Sequence, residues 1–140
     1  TISSDTILEG VAARDCVIDF NNGTNNLATV ASGRDIAIRN LQFIRCQNTT
    51  NGAIYLNTAQ RVNIEGCIFG TNMTSGSAGY DIWAGTPGNV YVSGCRSESP
   101  ATFYYATNST GAGAVRDNYI SSPQNISFQW VTEGNGAGQS

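Results

Sequence analysis

The sequence predicts an all-β solenoid, in which short strands pair in parallel, coil upon coil, over about five coils. Three observations carry this reading. The phrase "RVNIEGCIFG" at 61–70 returns 28 positions later as "NVYVSGCRSE" at 89–98, with Gly-Cys in the same place. Apolar and polar residues alternate in short runs such as "DIAIRN" and "AIYLN", which is the period of a strand, and no sustained three-and-four spacing marks a helix. Clusters of Gly, Asn, Ser and Thr separate the runs, and these are turn formers.

Taken in order, the phrase has five members: "TILEGV" at 6–11, "IAIRNL" at 36–41, "VNIEGC" at 62–67, "VYVSGC" at 90–95 and "AVRDNY" at 114–119. They align Leu8, Ile38, Ile64, Val92 and Val115 as one inward column, with steps of 30, 26, 28 and 23 residues. Such periods belong to repeat architectures. After the next, outward residue comes Gly10, Asn40, Gly66, Gly94 and either Asp117 or Asn118, types that accept a left-handed backbone at a bend. An apolar position then returns at Val11, Leu41, Cys67, Cys95 and Tyr119. Later strands, "GAIYLN" at 52–57, "YDIWAG" at 80–85 and "TFYYAT" at 102–107, complete the coils. Each coil adds one strand spacing of about 4.8 Å. An antiparallel sandwich predicts turns every 8 to 12 residues or so without this like-for-like return. Residues 1–132 are expected to form a single domain, with "EGNGAGQS" from Glu133 as a flexible tail.

The aligned "N/R-V-x-V/I-x-G-C" phrases and their weaker relatives, from about Thr6 to Ile120, resemble the right-handed parallel β-helix of the pectate-lyase-like superfamily. That superfamily includes polysaccharide lyases and hydrolases, phage tailspikes and tail fibres, and bacterial surface adhesins. The resemblance implies a fold and leaves activity open, because one coil geometry carries many functions. Polygalacturonases of this superfamily carry Asn-Thr-Asp, Asp-Asp, Gly-His-Gly and Arg-Ile-Lys sets; this chain has no paired Asp and neither His nor Lys. Pectate lyases gather several Asp around Ca²⁺ beside an Arg base, whereas Asp5, Asp15, Asp19, Asp35, Asp81 and Asp117 form no evident cluster. The character is nearest to tailspike and fibre segments.

Composition narrows the chemistry further. Without His or Lys there is no Ser-His-Asp triad, Cys-His pair, Schiff-base lysine or P-loop. No metal or cofactor motif is present, since Cys16, Cys46, Cys67 and Cys95 fit no zinc spacing. Charged residues are 12% of the chain, the net charge is −3 and all seven basic residues are scattered Arg. Phosphate tracking needs a clustered basic face, so no nucleic-acid partner is expected. No apolar run approaches membrane-spanning length, and no membrane insertion is expected. The opening "TISSDTILEG" has neither an initiator Met nor the order of a signal peptide, and reads as a processed product or a piece of a longer chain.

In a solenoid, alignment columns are physical neighbours. Cys67 and Cys95 stack inward, either as a disulfide or soft-metal pair or as two small buried hydrophobes. A second column, Glu9, Arg39, Glu65, Ser93 and Arg116, faces outward. Glu9 and Glu65, two coils or about 10 Å apart, are weak catalytic candidates near the carboxylate separation of an inverting glycosidase. Arg39 between them holds both ionised, wrong for a proton donor, so an exposed ion-pair ladder is the favoured reading. A third column places Tyr55, Trp83 and Tyr104 outward, with Ile54, Leu56, Ile82, Ala84, Phe103 and Tyr105 in the core; Tyr91 adds an outward ring elsewhere. These four aromatics are the expected glycan or interface contacts. A register one residue off turns the same rings inward. Sequons at Asn22, Asn48, Asn72, Asn108 and Asn125 read either as glycosylation acceptors or as turn chemistry.

The expectation is a non-enzymatic structural and recognition module of a viral tail or head fibre or a similar extracellular appendage, at the virion surface or outside the cell. It is glycan-facing and oligomeric. Its partners are identical subunits or the rest of a longer fibre, with cell-surface polysaccharide as a further partner. A polysaccharide depolymerase fragment and a secreted or cell-surface adhesin or filament subunit are the alternatives.

Overall fold

A computed structural model describes residues 2, 5–29, 35–57, 61–70, 79–85, 88–106 and 113–121. Each rung of the stack is three short strands joined by bends. The first holds β1 (Thr6–Glu9), β2 (Val17–Asp19) and β3 (Leu27–Thr29), and the second holds β4 (Asp35–Arg39), β5 (Gln42–Ile44) and β6 (Ile54–Leu56). The third holds β7 (Arg61–Glu65), β8 (Ile68–Phe69) and β9 (Tyr80–Ala84), and the fourth β10 (Asn89–Ser93), β11 (Arg96–Ser97) and β12 (Thr102–Ala106). A fifth, of β13 (Gly113–Arg116) and β14 (Tyr119–Ile120), is partial.

Strands pair only with their equivalents one rung away, always in parallel. Three sheets result, in the orders β1-β4-β7-β10-β13, β14-β11-β8-β5-β2 and β12-β9-β6-β3. The chain is therefore an all-β parallel solenoid, with four complete rungs and a two-strand fifth among the described residues, slightly fewer than five full coils. The expected extent of 1–132 runs past the described residues, and the tail from 133 lies outside them.

The first sheet carries the predicted columns without a slip. Leu8 pairs with Ile38, Ile38 with Ile64, Ile64 with Val92 and Val92 with Val115. Ile38, Ile64 and Val92 have no exposed surface, so full burial of each contributes about 1.5–3 kcal/mol against leaving it in water. In the second sheet Ile18, Phe43 and Phe69 share one column, the two rings 5.3 Å apart, and Phe20, just past β2, stacks on Phe43 at 6.4 Å. Ser97 takes the next place below Phe69 and leaves room there. Phe103 from β12 enters that space edge-on to Phe69, at 5.9 Å.

The bend after the first sheet is left-handed at Asn40, Gly66, Gly94 and Asp117, with φ of 52°, 61°, 61° and 56°. Asp117, not Asn118, is thus the fifth bend residue. Gly10 is not left-handed; it is small because a Cβ there would overlap the Asn40 carbonyl oxygen and come within 2.6 Å of the Cys16 Cβ. The column after the bend also differs from expectation at both ends. Val11 is 97% exposed, because residues 11–15 are an inserted turn and Cys16 takes the inward place next to Leu41. At the other end Tyr119 lies opposite Arg96, so Asn118 stands beneath Cys95. There its Oδ1 accepts from the Cys95 N–H at 2.8 Å and its Nδ2 donates to the Val92 carbonyl at 3.2 Å.

Candidate functional site

The outer face of the first sheet forms an open groove of about 650 Å³. Strand alternation fixes its lining: residues between the inward positions point out, and parallel in-register pairing stacks them. Its floor is the column Ile7, Ala37, Asn63, Tyr91 and Ala114. The small Ala37 and Ala114 keep the floor low, while Ile7 and Tyr91 stand up from it, 67% and 46% exposed. One rim is Asp35 and Arg61; the other is Arg39, Glu65, Ser93 and Arg116, four members of the column expected from the sequence, whose fifth, Glu9, continues the column beyond the lining.

The rims are paired along the stack. Arg61 grips Asp35 with both branches of its guanidinium, at 2.5 and 2.7 Å, and the Asp35 carboxylate raises the Arg61 pKa. Arg39 approaches Glu65 at 3.7 Å, too long for a hydrogen bond, and its buried Nε has no hydrogen-bond partner. These pairs are solvent-exposed, of small worth to stability, and leave the groove lined by donors and acceptors at rung intervals. Of the weak catalytic candidates, Glu65 lies on this rim and Glu9 continues its column past it, with Arg39 opposite each of them in register.

The aromatic expectations divide. Tyr91 projects into the groove, and among the described residues no other ring stacks on it. Tyr55 and Trp83 are paired one rung apart on a different face, the outer face of the third sheet. They stack on one another at 4.7 Å and 14°, half-buried, so each ring already spends one face on its neighbour. Trp83 Nε1 is buried without a hydrogen-bond partner. Tyr104 does not continue this column. It lies opposite Ile82, only 4% exposed, and burial pushes its phenol up to about 12. Tyr105 takes the place opposite Trp83 and stacks on Tyr80 at 4.8 Å. The physical reason is Phe103: with Phe103 turned inward to fill the space beside Ser97, Tyr104 also meets the core, and the outward position falls on Tyr105.

One buried polar group had no signal in the sequence. Asp81 is fully buried, accepts a hydrogen bond from Ser97 Oγ at 2.6 Å on Oδ2, and has no partner at Oδ1. Burial pushes its carboxyl up to about 7, against the lowering effect of the Ser97 and Ser99 hydroxyls. Alternation from Ile82 places Asp81 outside, but residues 81 and 82 are both interior where the chain turns into the third sheet. This cluster is sealed from solvent and is not a ligand site.

Of the sequons, Asn22 is exposed, whereas the Asn48 amide is engaged: its Nδ2 donates to the Thr24 carbonyl at 2.6 Å and its Oδ1 accepts from the Thr50 and Asn51 N–H groups. Asn72, Asn108 and Asn125 lie outside the described residues. Comparison with protein-family models, curated proteins and solved structures finds no match.

Proposed function

We propose that this chain is a non-catalytic recognition module, a β-helical segment of pectate-lyase-like and tailspike-like character in a viral fibre or similar extracellular appendage, that holds a polysaccharide along the groove of the first sheet. The observation that carries the reading is Tyr91. Its ring rises from a low floor between polar rims, Asp35 and Arg61 on one side and Arg39, Glu65, Ser93 and Arg116 on the other. A sugar chain presents the same combination, with apolar ring faces that stack on an aromatic and hydroxyls that meet donors and acceptors at each step.

Binding without cleavage is supported by the place of Arg39, which stands in register between Glu9 and Glu65, where an inverting pair of carboxyl groups would need room for its water. The oligomeric reading is supported by the end strands of the three sheets, which among the described strands have a neighbour on one side only and which identical subunits or neighbouring fibre segments would cover.

The test is titration of the protein against neutral and acidic polysaccharides, with tyrosine fluorescence and calorimetry as readouts. Saturable binding lost in Tyr91→Ala, with no new reducing ends or unsaturated products, supports the proposal. Product formation abolished by Glu65→Gln supports the depolymerase alternative. Binding to none of the polymers overturns the glycan reading, and a clean monomer at micromolar concentration in sedimentation overturns the oligomer.

A further inference from the structure

Cys67 and Cys95 each follow a left-handed glycine, Gly66 and Gly94. With Glu65 opposite Ser93 and Ile68 opposite Arg96, the two cysteines stand directly one above the other in the third and fourth rungs. They are 0% and 2% exposed. Each thiol meets the equivalent pair of carbonyls in its own rung and the rung before: Cys67 Sγ is 3.6 Å from the Ile38 oxygen and 3.5 Å from that of Glu65, and Cys95 Sγ is 3.9 Å from that of Ile64 and 3.5 Å from that of Ser93. Each thiol is the largest influence on the other, which favours the thiolate at Cys67 and opposes it at Cys95.

We propose that Cys67 and Cys95 are a redox modification site, closing a cross-rung disulfide that clamps the third rung to the fourth in an oxidising environment. All four cysteines are free thiols in this structure. A rung spacing of about 4.8 Å lies within the Cα separation that disulfides span, roughly 4.4–6.8 Å. The geometry also selects the pair. Cys16 shares the column but Leu41 separates it from Cys67, and Cys46 lies in another corner with its thiol 3.4 Å from the Asn25 carbonyl. Low-molecular-weight disulfide is the oxidant class. On local opening of the rung, the Cys67 thiolate attacks one of its sulfurs and expels a small thiolate; the Cys95 thiolate then attacks the mixed disulfide and expels the second. Two protein thiols lose two protons and two electrons, and one small disulfide becomes two small thiols.

The test is independent of any glycan. The full chain is incubated with oxidised glutathione, alkylated under denaturing conditions without reduction, and digested with chymotrypsin, which cuts between the two cysteines at Phe69, Tyr80, Trp83 and Tyr91. The expected product is a single cross-linked peptide pair through Cys67 and Cys95, with Cys16 and Cys46 alkylated. Alkylated Cys67 and Cys95, an unresolved glutathione adduct on either, or a bond to Cys16 or Cys46 overturns the proposal. Thermal unfolding of oxidised against reduced wild-type protein supplies a second reading. A bond that fits the folded stack raises the Tm by roughly 5–10 °C, reversibly with dithiothreitol; an unchanged or lowered Tm contradicts it.

Discussion

Tyr105 lies opposite Trp83 across the β9–β12 ladder, and its neighbour Tyr104 lies opposite Ile82 inside the core. Three successive aromatics in "TFYYAT" are thus sorted by Phe103, which fills the place vacated by Ser97 beside Phe69. Tyr104→Ala is expected to cost about 3–5 kcal/mol by opening a cavity, and Tyr105→Ala about 1 kcal/mol, in denaturant titrations. Equal costs would contradict this sorting.

The two left-handed glycines of the third and fourth rungs separate strain from contact. An alanine at either adopts a disfavoured φ, at roughly 1–2 kcal/mol. At Gly66 the added Cβ also lies 2.6 Å from Asn40 Oδ1, whereas at Gly94 the nearest atom is 3.9 Å away. Gly66→Ala is therefore expected to lower the Tm more than Gly94→Ala, and Asn40→Gly is expected to narrow the difference.

How much of this was legible in the sequence depended on what set each position. The first-sheet columns were readable because strict alternation and a like-for-like phrase fix the register, from Leu8 through Val115. Cys16 and Asn118 were missed because position in the phrase is no guide once residues 11–15 are inserted, or once Asp117 rather than Asn118 takes the bend. Tyr104 and Asp81 escape the pattern because "TFYYAT" runs three aromatics together with no charged residue to mark a face, and because two successive interior residues at a corner break alternation altogether. Tyr91 and the column from Arg39 to Arg116 are each visible in the sequence, but only sheet pairing shows that they line one groove.

Asp81 makes stability depend on pH. Its carboxyl titrates near 7 in the folded chain against 3.8 ordinarily, so between those values the folded state holds a proton that the unfolded chain has released. The contribution is fully present below about pH 4 and is lost as pH rises to about 7, up to about 4 kcal/mol in total. The buried Cys46 thiol, itself raised by burial, also feels the Asp81 charge. Unfolding free energies at pH 5 and pH 8 are expected to differ in that direction for the wild type and to converge in Asp81→Asn. A wild type more stable at pH 8 would refute the assignment.

Tyr91 and Tyr55 separate a ligand ring from a structural one. Tyr91→Ala is expected to leave the Tm within a few degrees and to weaken polysaccharide binding about tenfold, equivalent to about 1.4 kcal/mol. Tyr55→Ala is expected to do the reverse, because it strips Trp83 of its stacked partner.

The parallel rung stack is tested most directly by methyl–methyl nuclear Overhauser contacts from Ile64. Cross-peaks from its δ1 methyl to Ile38 on one side and to Val92 on the other, with parallel amide pairing of β4, β7 and β10, are the predicted result. Contacts from Ile64 to an antiparallel neighbour, or none to Ile38 and Val92, would contradict it, and the groove and the cysteine pair would fall with it.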